Sequence, residues 1–135
     1  MVDLHTGTTP LLRQAIERLS GGPDATPCDS LFDADVRWHE PGRSLVAGDY
    51  EGCDEVVGLL FGRLRDLSDG TFGVARWEST TSDGERETGI YVVRARRNGR
   101  DLLSRVVCVA EIRAGAIASV QVFHADQHAW DRFWA

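Results

Sequence analysis

Two stretches of the chain repeat their apolar residues at the spacing of an amphipathic helix. The first covers residues 9–20 (TPLLRQAIERLS), where Thr9 is placed to cap the N-terminus and Pro10 to occupy the first turn. The second covers residues 52–67, where arginines stand between the members of a wide apolar stripe. A brief helix is predicted between them, over residues 26–32.

The rest of the pattern is typical of β-strands. Residues 33–40 (DADVRWHE) predict a strand that ends at Pro41-Gly42, because proline and glycine stop regular pairing. Four further strands, separated by SDG, RNG and RAG turns, are predicted over residues 71–81, 86–97, 101–113 and 116–125. Helices followed by an antiparallel meander indicate the α+β class.

Two of the strand cores are apolar on both faces instead of alternating. They are IYVV at residues 90–93 and VVCVA at residues 106–110. In an antiparallel sheet with one face in water, apolar and polar residues alternate along each strand. These two strands do not alternate, so both faces of the sheet should be covered. Helices would cover one face, and a second copy of the chain would cover the other, which predicts a homodimer through the sheet. The alternative is a sheet that curls over its own back.

Length and composition narrow the class of protein. The chain has 135 residues, 42% of them hydrophobic and 27% charged, as expected of one soluble globular domain over residues 1–135. A net charge of -6 argues against a nucleic-acid partner, since such binding needs Lys and Arg against phosphates. All basic residues are arginine, which excludes a Schiff-base lysine and a P-loop.

The cysteines indicate neither a disulfide cross-link nor a metal site. Cys28, Cys53 and Cys108 are odd in number and have no C-x-x-C spacing, so no disulfide framework or thiolate zinc site is predicted. A reducing cytoplasm fits this usage. No segment is long and apolar enough for a membrane span, and the polar start lacks the core of a signal peptide.

Four segments together resemble the NTF2-like superfamily, in its SnoaL-like and ketosteroid-isomerase-like branches. They are LFDADVRWHEPG (31–42), LVAGDYEG (45–52), RAGAIASVQVF (113–123) and WDRFWA (130–135). The resemblance implies a cone in which N-terminal helices pack on a strongly curved antiparallel sheet around a deep apolar pocket, often in a dimer. The same scaffold hosts isomerases, polyketide cyclases, hydrolases, dehydratases and binding domains.

The end of the first strand holds two candidate catalytic groups. Ketosteroid-isomerase-like proteins carry an Asp-Pro there, and matching the proline places Glu40 at the proton-shuttling position. SnoaL-like sequences often have H-x-P-G, which favours His39 as the inward group. Neighbouring strand residues point to opposite faces, so only one of the two should enter the pocket. The structural alternatives are that Glu40 caps the turn or pairs with Arg43 in solvent, and that His39 is bonded to backbone.

The last strand offers a second set of groups. Val120, Val122, His124 and Asp126 share one parity, so two apolar and two polar side chains would line one wall. The resemblance places a catalytic residue nearer Val122, and its absence there moves possible chemistry to the rim. His124 and His128 are four apart, but the strand ends between them, so no metal site is predicted.

Aromatic residues are candidates for the pocket wall, because tyrosine and tryptophan combine a large apolar contact area with one hydrogen-bonding group. They are Trp38, Tyr50, Trp77 and Tyr91. Near the C-terminus Trp130, Phe133 and Trp134 follow helical spacing and predict a closing turn that serves as a lid or a dimer contact. The alternative for all of them is ordinary core packing.

These features predict an enzyme that needs no cofactor and moves a proton in a hydrophobic, polyketide-like or terpenoid-like metabolite. His39 or Glu40 would be the base, and His124, oriented by Asp126, the acid or oxyanion donor. No glycine-rich phosphate loop suggests a nucleotide. The alternatives are a carrier that encloses a hydrophobic ligand unchanged and a cyclase that acts mainly by shaping its substrate.

Overall fold

The computed structural model describes residues 9–21, 28 and 30–135. Its helices are α1 (Leu11–Leu19), a π-helical segment (Glu55–Phe61) that continues into α2 (Gly62–Leu67), and α3 (Gln127–Phe133). Its strands are β1 (Phe32–Glu40), β2 (Gly48–Glu51), β3 (Gly73–Ser82), β4 (Arg86–Arg97), β5 (Arg100–Arg113) and β6 (Ala116–His124). The α+β prediction is confirmed.

Helix α1 buries the apolar stripe read from the sequence, but its N-terminus is held differently. Pro10 occupies the N-cap position and makes no side-chain cap, so the prediction of Thr9 as cap is wrong. The backbone N–H groups of Leu11 and Leu12 donate instead to the carboxylate of Glu87 on β4, at 3.2 and 2.8 Å. A buried strand residue thus satisfies the helix end and fixes α1 on the sheet.

The strands form one open, curved six-stranded sheet in the order β2-β1-β6-β5-β4-β3. All neighbours are antiparallel except β1 and β6, which run parallel, with Trp38 opposite Val120 and His39 opposite Gln121. The wholly antiparallel sheet expected from the sequence is therefore corrected at this one pairing. Parallel pairing brings the carboxyl ends of β1 and β6 to the same edge.

Two local predictions need correction, and one strand was missed. The predicted helix over 52–67 is present, but its first half has π-helical geometry, and it places Phe61 edge-on to Trp38 with ring centroids 5.4 Å apart. Of the predicted helix over 26–32, residues 26, 27 and 29 lie outside the described residues, while Cys28, Ser30 and Leu31 form turns and Phe32 begins β1. Strand β2 was not predicted.

The cysteine prediction is wrong. Cys28 and Cys53 form a disulfide across 25 residues of sequence, with their Cα atoms 5.7 Å apart. It ties the segment before β1 to the start of the long helix, a proximity that sequence spacing does not reveal. Because disulfides persist in oxidising compartments, the cytoplasmic location loses its support from the cysteines and stays a prediction. None of the helices described here is long and apolar enough to cross a membrane.

The inner face of the sheet packs on the helices, while the outer face keeps an apolar row. Ile90, Val107 and Phe123 stand opposite one another on β4, β5 and β6. Phe123 is 50% exposed and Leu103 on the same face is 66% exposed. The two-sided apolar character predicted for β4 and β5 is therefore present, with its outer side facing solvent in the single chain.

Candidate active site

The end of β1 places its two titratable residues on opposite faces of the sheet. Glu40 shares the inward parity of Trp38 and is buried. His39 points outward with 45% of its side chain exposed. The expectation that His39 is the inward group is therefore wrong, because no bulge changes the alternation before Pro41.

Glu40 pairs with His124 in the interior. Oε2 of Glu40 lies 2.5 Å from Nε2 of His124, and the two side chains are 5% and 1% exposed. The parallel pairing of β1 with β6 makes this contact, since both residues end their strands. Burial raises the pKa of Glu40 above its ordinary value of 4.5, and the hydrogen bond and charge of His124 oppose that rise.

The other groups near this carboxylate are aromatic. The indole of Trp38 lowers the pKa of Glu40 without reaching hydrogen-bonding geometry. The ring of His124 stacks on Trp130, with centroids 3.9 Å apart and planes 21° from parallel. Within the described residues, Nδ1 of His124 is buried and has no hydrogen-bond partner. This nitrogen is the unpaired end of the ring.

Asp126 does not orient His124 as predicted. Strand β6 ends at His124, and Asp126 becomes the N-cap of α3, accepting a hydrogen bond from the backbone N–H of Ala129 at 3.0 Å. Its side chain is exposed. The carboxylate that holds the imidazole is Glu40 instead. The shared parity of residues 120–126 therefore holds only as far as the last residue of the strand.

A second buried polar pair lies on the inner face beside the first. The hydroxyl of Tyr91 lies 3.1 Å from Sγ of Cys108. Burial raises the pKa of Tyr91 well above its ordinary value and that of Cys108 to about 12, and Glu40 adds to both shifts through its charge. Both groups are therefore neutral at physiological pH, and Cys108 is an inert thiol.

The remaining predicted wall residues divide into two groups. Val120 and Val122 are buried on the inner face of β6, where they continue the row that ends at His124. Tyr50 is also buried, and its hydroxyl donates to the carbonyl of Val46 at 2.8 Å. Trp77 lies farther out, with its ring 4.6 Å from that of Tyr91.

The loop after β1 packs against α3, beside the end of β1 that carries Glu40. Gly42 adopts a φ of +103°, and a Cβ there would overlap Asp131 and Gln127. The backbone N–H of Leu45 donates to the carbonyl of Trp134 at 3.1 Å. The predicted closing helical turn is thus confirmed, and it covers the edge of the sheet where Glu40 and His124 meet.

A second histidine–carboxylate pair lies on the outer face, at the end of β1. Nδ1 of His39 lies 2.5 Å from Oδ1 of Asp49 on β2. The pair borders a shallow depression of about 320 Å³ on the outer face, with Arg37, Glu51 and Gln121 around it. The same pairing chemistry therefore occurs on both faces of β1. Among the residues described, no three His, Cys, Asp or Glu side chains cluster as metal ligands would.

No protein-family model matches the chain. The uncharacterised protein Rv0034 of Mycobacterium tuberculosis is 30% identical over 125 residues, covering 93% of this chain and 94% of that protein. Bal32a, from a soil-derived mobile gene cassette, has a TM-score of 0.83 and 32% identity over 93% of this chain and 94% of its own. A Xanthomonas campestris protein of unknown function with a cystatin-like fold has a TM-score of 0.80 and 30% identity, covering 93% and 95% of the two chains.

More distant structures share the fold alone. An NTF2-like protein from Burkholderia xenovorans has a TM-score of 0.76 and 16% identity over 93% of each chain. A ketosteroid-isomerase-like protein from Catenulispora acidiphila, in complex with trimethylamine, has a TM-score of 0.73 at 17% identity, covering 92% of this chain and 93% of that one. A candidate polyketide cyclase from Sinorhizobium meliloti has a TM-score of 0.64 at 15% identity, covering 85% and 95%.

A curved sheet over helices, with a polar pair set in an apolar interior, defines a class of small α+β proteins. The likeness to Rv0034, Bal32a and the more distant structures extends along nearly the whole chain. The chain belongs to the same family as Rv0034. Its fold is NTF2-like, as the resemblance of its sequence predicted.

Proposed function

We propose that this protein is a cofactor-independent enzyme that moves a proton in a hydrophobic small molecule. The observation that carries the proposal is the buried pair of Glu40 and His124, 2.5 Å apart. Burying two titratable groups is costly unless they are paired, and perturbed buried pairs are concentrated at functional sites. Isomerisation, cyclisation and dehydration all need such a proton transfer.

The pair assigns separate tasks to its two residues. With Nε2–H donating to the Glu40 carboxylate, the lone pair of Nδ1 is free to accept a proton from a substrate carbon. The imidazolium that forms is stabilised by the carboxylate at the other nitrogen, and Nδ1–H then returns the proton elsewhere on the substrate. His124 is the acid–base group in this scheme, and Glu40 positions it and balances its charge.

The surroundings support an apolar substrate. Val120, Val122, Trp38 and Trp130 bury the pair on the inner side of the sheet. Structures with the same fold include a ketosteroid-isomerase-like protein with a small molecule bound and a candidate polyketide cyclase. We therefore extend the proposal to polyketide-like or terpenoid-like substrates that carry an acidic C–H bond.

Deuterium exchange tests the proposal without knowledge of the natural substrate. A panel of aryl and alicyclic ketones, including acetophenone, is incubated in D₂O, and exchange of the α-protons is followed by NMR. Glu40→Gln and His124→Gln should each slow enzyme-dependent exchange by ~100-fold or more. The matched outer-face variants Asp49→Asn and His39→Gln should leave it within about twofold, because surface pairs contribute little.

Equal effects of the inner and outer variants would contradict the assignment. Wild-type protein that accelerates exchange of no ketone would defeat the proposal for carbonyl substrates. Circular dichroism of each variant separates loss of chemistry from loss of fold.

The second candidate is a carrier that encloses a hydrophobic ligand without changing it. The stacking of Trp130 on His124 favours it, because an imidazole covered on one face has less room to exchange a proton with a substrate. A ligand that co-purifies and is released unaltered would support this function. A cyclase that acts mainly by shaping its substrate would instead depend on Trp38 and Tyr91 more than on His124.

We also propose that the chain forms a homodimer through the outer face of the sheet. The row of Ile90, Val107 and Phe123 is the apolar surface that a second copy would cover. Analytical ultracentrifugation should show a wild-type dimer and a Phe123→Asp monomer. A wild-type monomer at micromolar concentration would contradict the proposal.

A further inference from the structure

The outer face of the sheet carries a polar depression near the β2 edge, on the side opposite the buried Glu40. Its volume of about 320 Å³ lies at the small end of the range for small-molecule sites. Its polar side chains come from three neighbouring strands, β2, β1 and β6. They are Arg37, His39, Asp49, Glu51, Ser119 and Gln121.

The strand register arranges these side chains in two rows. Glu51, Arg37 and Ser119 stand opposite one another in the first row, and Asp49, His39 and Gln121 in the second. Alternate residues of a strand share a face, so both rows point outward. His39 and Asp49 bond to each other. Within the described part of the chain, the other four side chains have no hydrogen-bond or ion-pair partner.

The first row holds two opposite charges that do not pair. Opposite charges on directly opposite residues of antiparallel strands attract each other. Arg37 and Glu51 occupy such positions and are exposed, yet no ion pair joins their side chains. A guanidinium can only donate hydrogen bonds, and an ionised carboxylate can only accept them. A ligand that satisfies both must therefore carry an anionic and a cationic group close together.

We propose that this depression binds a zwitterionic α-amino acid with a polar side chain. The ligand carboxylate accepts hydrogen bonds from the guanidinium of Arg37 and from the hydroxyl of Ser119 beside it, and the ligand ammonium donates to Glu51. Neighbouring strands lie about 4.8 Å apart, which suits two charged groups carried by one carbon atom. A bidentate contact of arginine with the carboxylate fixes the orientation of the ligand.

The second row selects the side chain of the ligand. Nδ1 of His39 is held by Asp49, so Nε2 is the ring nitrogen left for a ligand. The amide of Gln121 can both donate and accept. A side chain that does the same, such as an amide or a hydroxyl, matches this row.

Ligands of a single charge fit less well. A simple anion would meet the carboxylates of Asp49 and Glu51, and a simple cation would meet Arg37. Charge complementarity of this kind sets specificity more than raw affinity. The proposed ligand is therefore selected by carrying both charges at once.

Three compounds with the same carbamoyl chain separate the two charges. L-glutamine carries both charges, glutaramate lacks the ammonium, and 4-aminobutanamide lacks the carboxylate. Dissociation constants are measured on the full chain by NMR titration, following the backbone amides of Arg37, Glu51 and Ser119. L-glutamine should bind about tenfold more tightly than either other compound, because two weak surface ion pairs act together. L-norleucine, which has an apolar side chain of similar length, should bind about threefold more weakly than L-glutamine.

Two variants each remove one of the proposed contacts. Arg37→Met should weaken L-glutamine to about the affinity of 4-aminobutanamide, and Glu51→Gln should weaken it to about that of glutaramate. Arg94→Met is the matched control, since Arg94 is an exposed arginine on the outer face of β4, outside the depression. Its affinity for L-glutamine should stay within about twofold of wild type, as for most surface substitutions.

Four outcomes would overturn the proposal. They are the absence of saturable L-glutamine binding, equal binding of L-glutamine and either single-charge compound, an equal loss in Arg94→Met and Arg37→Met, and unchanged binding in both Arg37→Met and Glu51→Gln. L-norleucine binding as tightly as L-glutamine would overturn the assignment of a polar side chain. Because the depression and Glu40 lie on opposite faces of β1, these results are independent of the proposed proton transfer.

Discussion

Two histidine–carboxylate pairs flank β1, and they differ in little except their surroundings. His39 with Asp49 and His124 with Glu40 each have an N–O distance of 2.5 Å. The first pair has side chains that are 45% and 77% exposed, whereas those of the second are 1% and 5% exposed. Adjacent residues of one strand, His39 and Glu40, belong to different pairs.

The comparison shows that the face of the sheet decides whether a histidine–carboxylate pair is exposed or buried. Water and salt screen the outer pair, so its attraction is small. In the interior, burial raises the pKa of Glu40 against the opposing pull of His124. The protein interior therefore shifts the pKa of Glu40, while the outer pair lies in contact with solvent.

The largest difference should appear when one partner of each pair is removed. Glu40→Ala leaves a buried imidazole without its acceptor and should lower the free energy of unfolding by about 3–5 kcal/mol. Asp49→Ala should cost at most about 1 kcal/mol. Urea denaturation followed by tryptophan fluorescence measures both. Equal costs would mean that the inner pair is as well solvated as the outer one.

The pH dependence of the free energy of unfolding should also distinguish the two pairs. Because Glu40 has a higher pKa in the folded protein than its ordinary 4.5, its stabilising contribution is complete below pH 4.5 and is lost as the pH rises through the folded value. Glu40→Gln does not titrate. Its free energy of unfolding should therefore gain on wild type above pH 4.5, by about 1.4 kcal/mol for each unit by which the folded pKa exceeds 4.5.

Asp49→Asn is the control for this pH series. Its difference from wild type should stay within about 0.5 kcal/mol over the same range, as for most surface substitutions. If Glu40→Gln instead loses stability relative to wild type as the pH rises, the pKa of Glu40 is lowered, and the balance of burial and pairing is the reverse of that described.

A smaller difference is expected in how salt changes the coupling energy of each pair. A double-mutant cycle on His39 and Asp49 should give a coupling energy below about 1 kcal/mol that shrinks between 0.05 and about 1 M NaCl. The cycle on Glu40 and His124 should give a larger coupling that salt barely changes, because ions do not enter the interior. A salt-sensitive inner coupling would show that solvent reaches the pair.

The smallest expected signal is the absence of a reaction at Cys108. Its thiol is fully buried and has a pKa of about 12, so iodoacetamide should not modify it in the folded protein at pH 8. Mass spectrometry before and after unfolding measures this. Rapid alkylation of the native protein would reveal an opening next to Glu40.

The sequence predicted the elements well because their signals are local. The apolar stripe of residues 9–20 and the turn-bounded strands needed only spacing, and the resemblance led to the NTF2-like fold. Glu40 and His124 were both candidates, but their pairing joins residues 84 apart and depends on the parallel alignment of β1 with β6. Neither periodicity nor residue type encodes that alignment.

Other features were predicted wrongly from the sequence, for related reasons. Cys28 and Cys53 meet because the chain folds back, not because of their spacing. Glu87 caps α1 from another element, so the local capping rule selected Thr9 instead. The role of Asp126 changed because alternation ends with the strand, at His124. The first two misses concern contacts made across the fold, and the third concerns where the strand ends.

The parallel pairing of β1 with β6 has a consequence for how the protein is made. Joining strands so far apart requires closing a long loop, whose entropic cost is met only when the sheet is nearly complete. An intermediate that lacks β6 has a solvated Glu40 with no imidazole beside it. Under the proposed function, proton transfer would then need the completed sheet, so activity would report the fully native population and partly folded chains would be inactive.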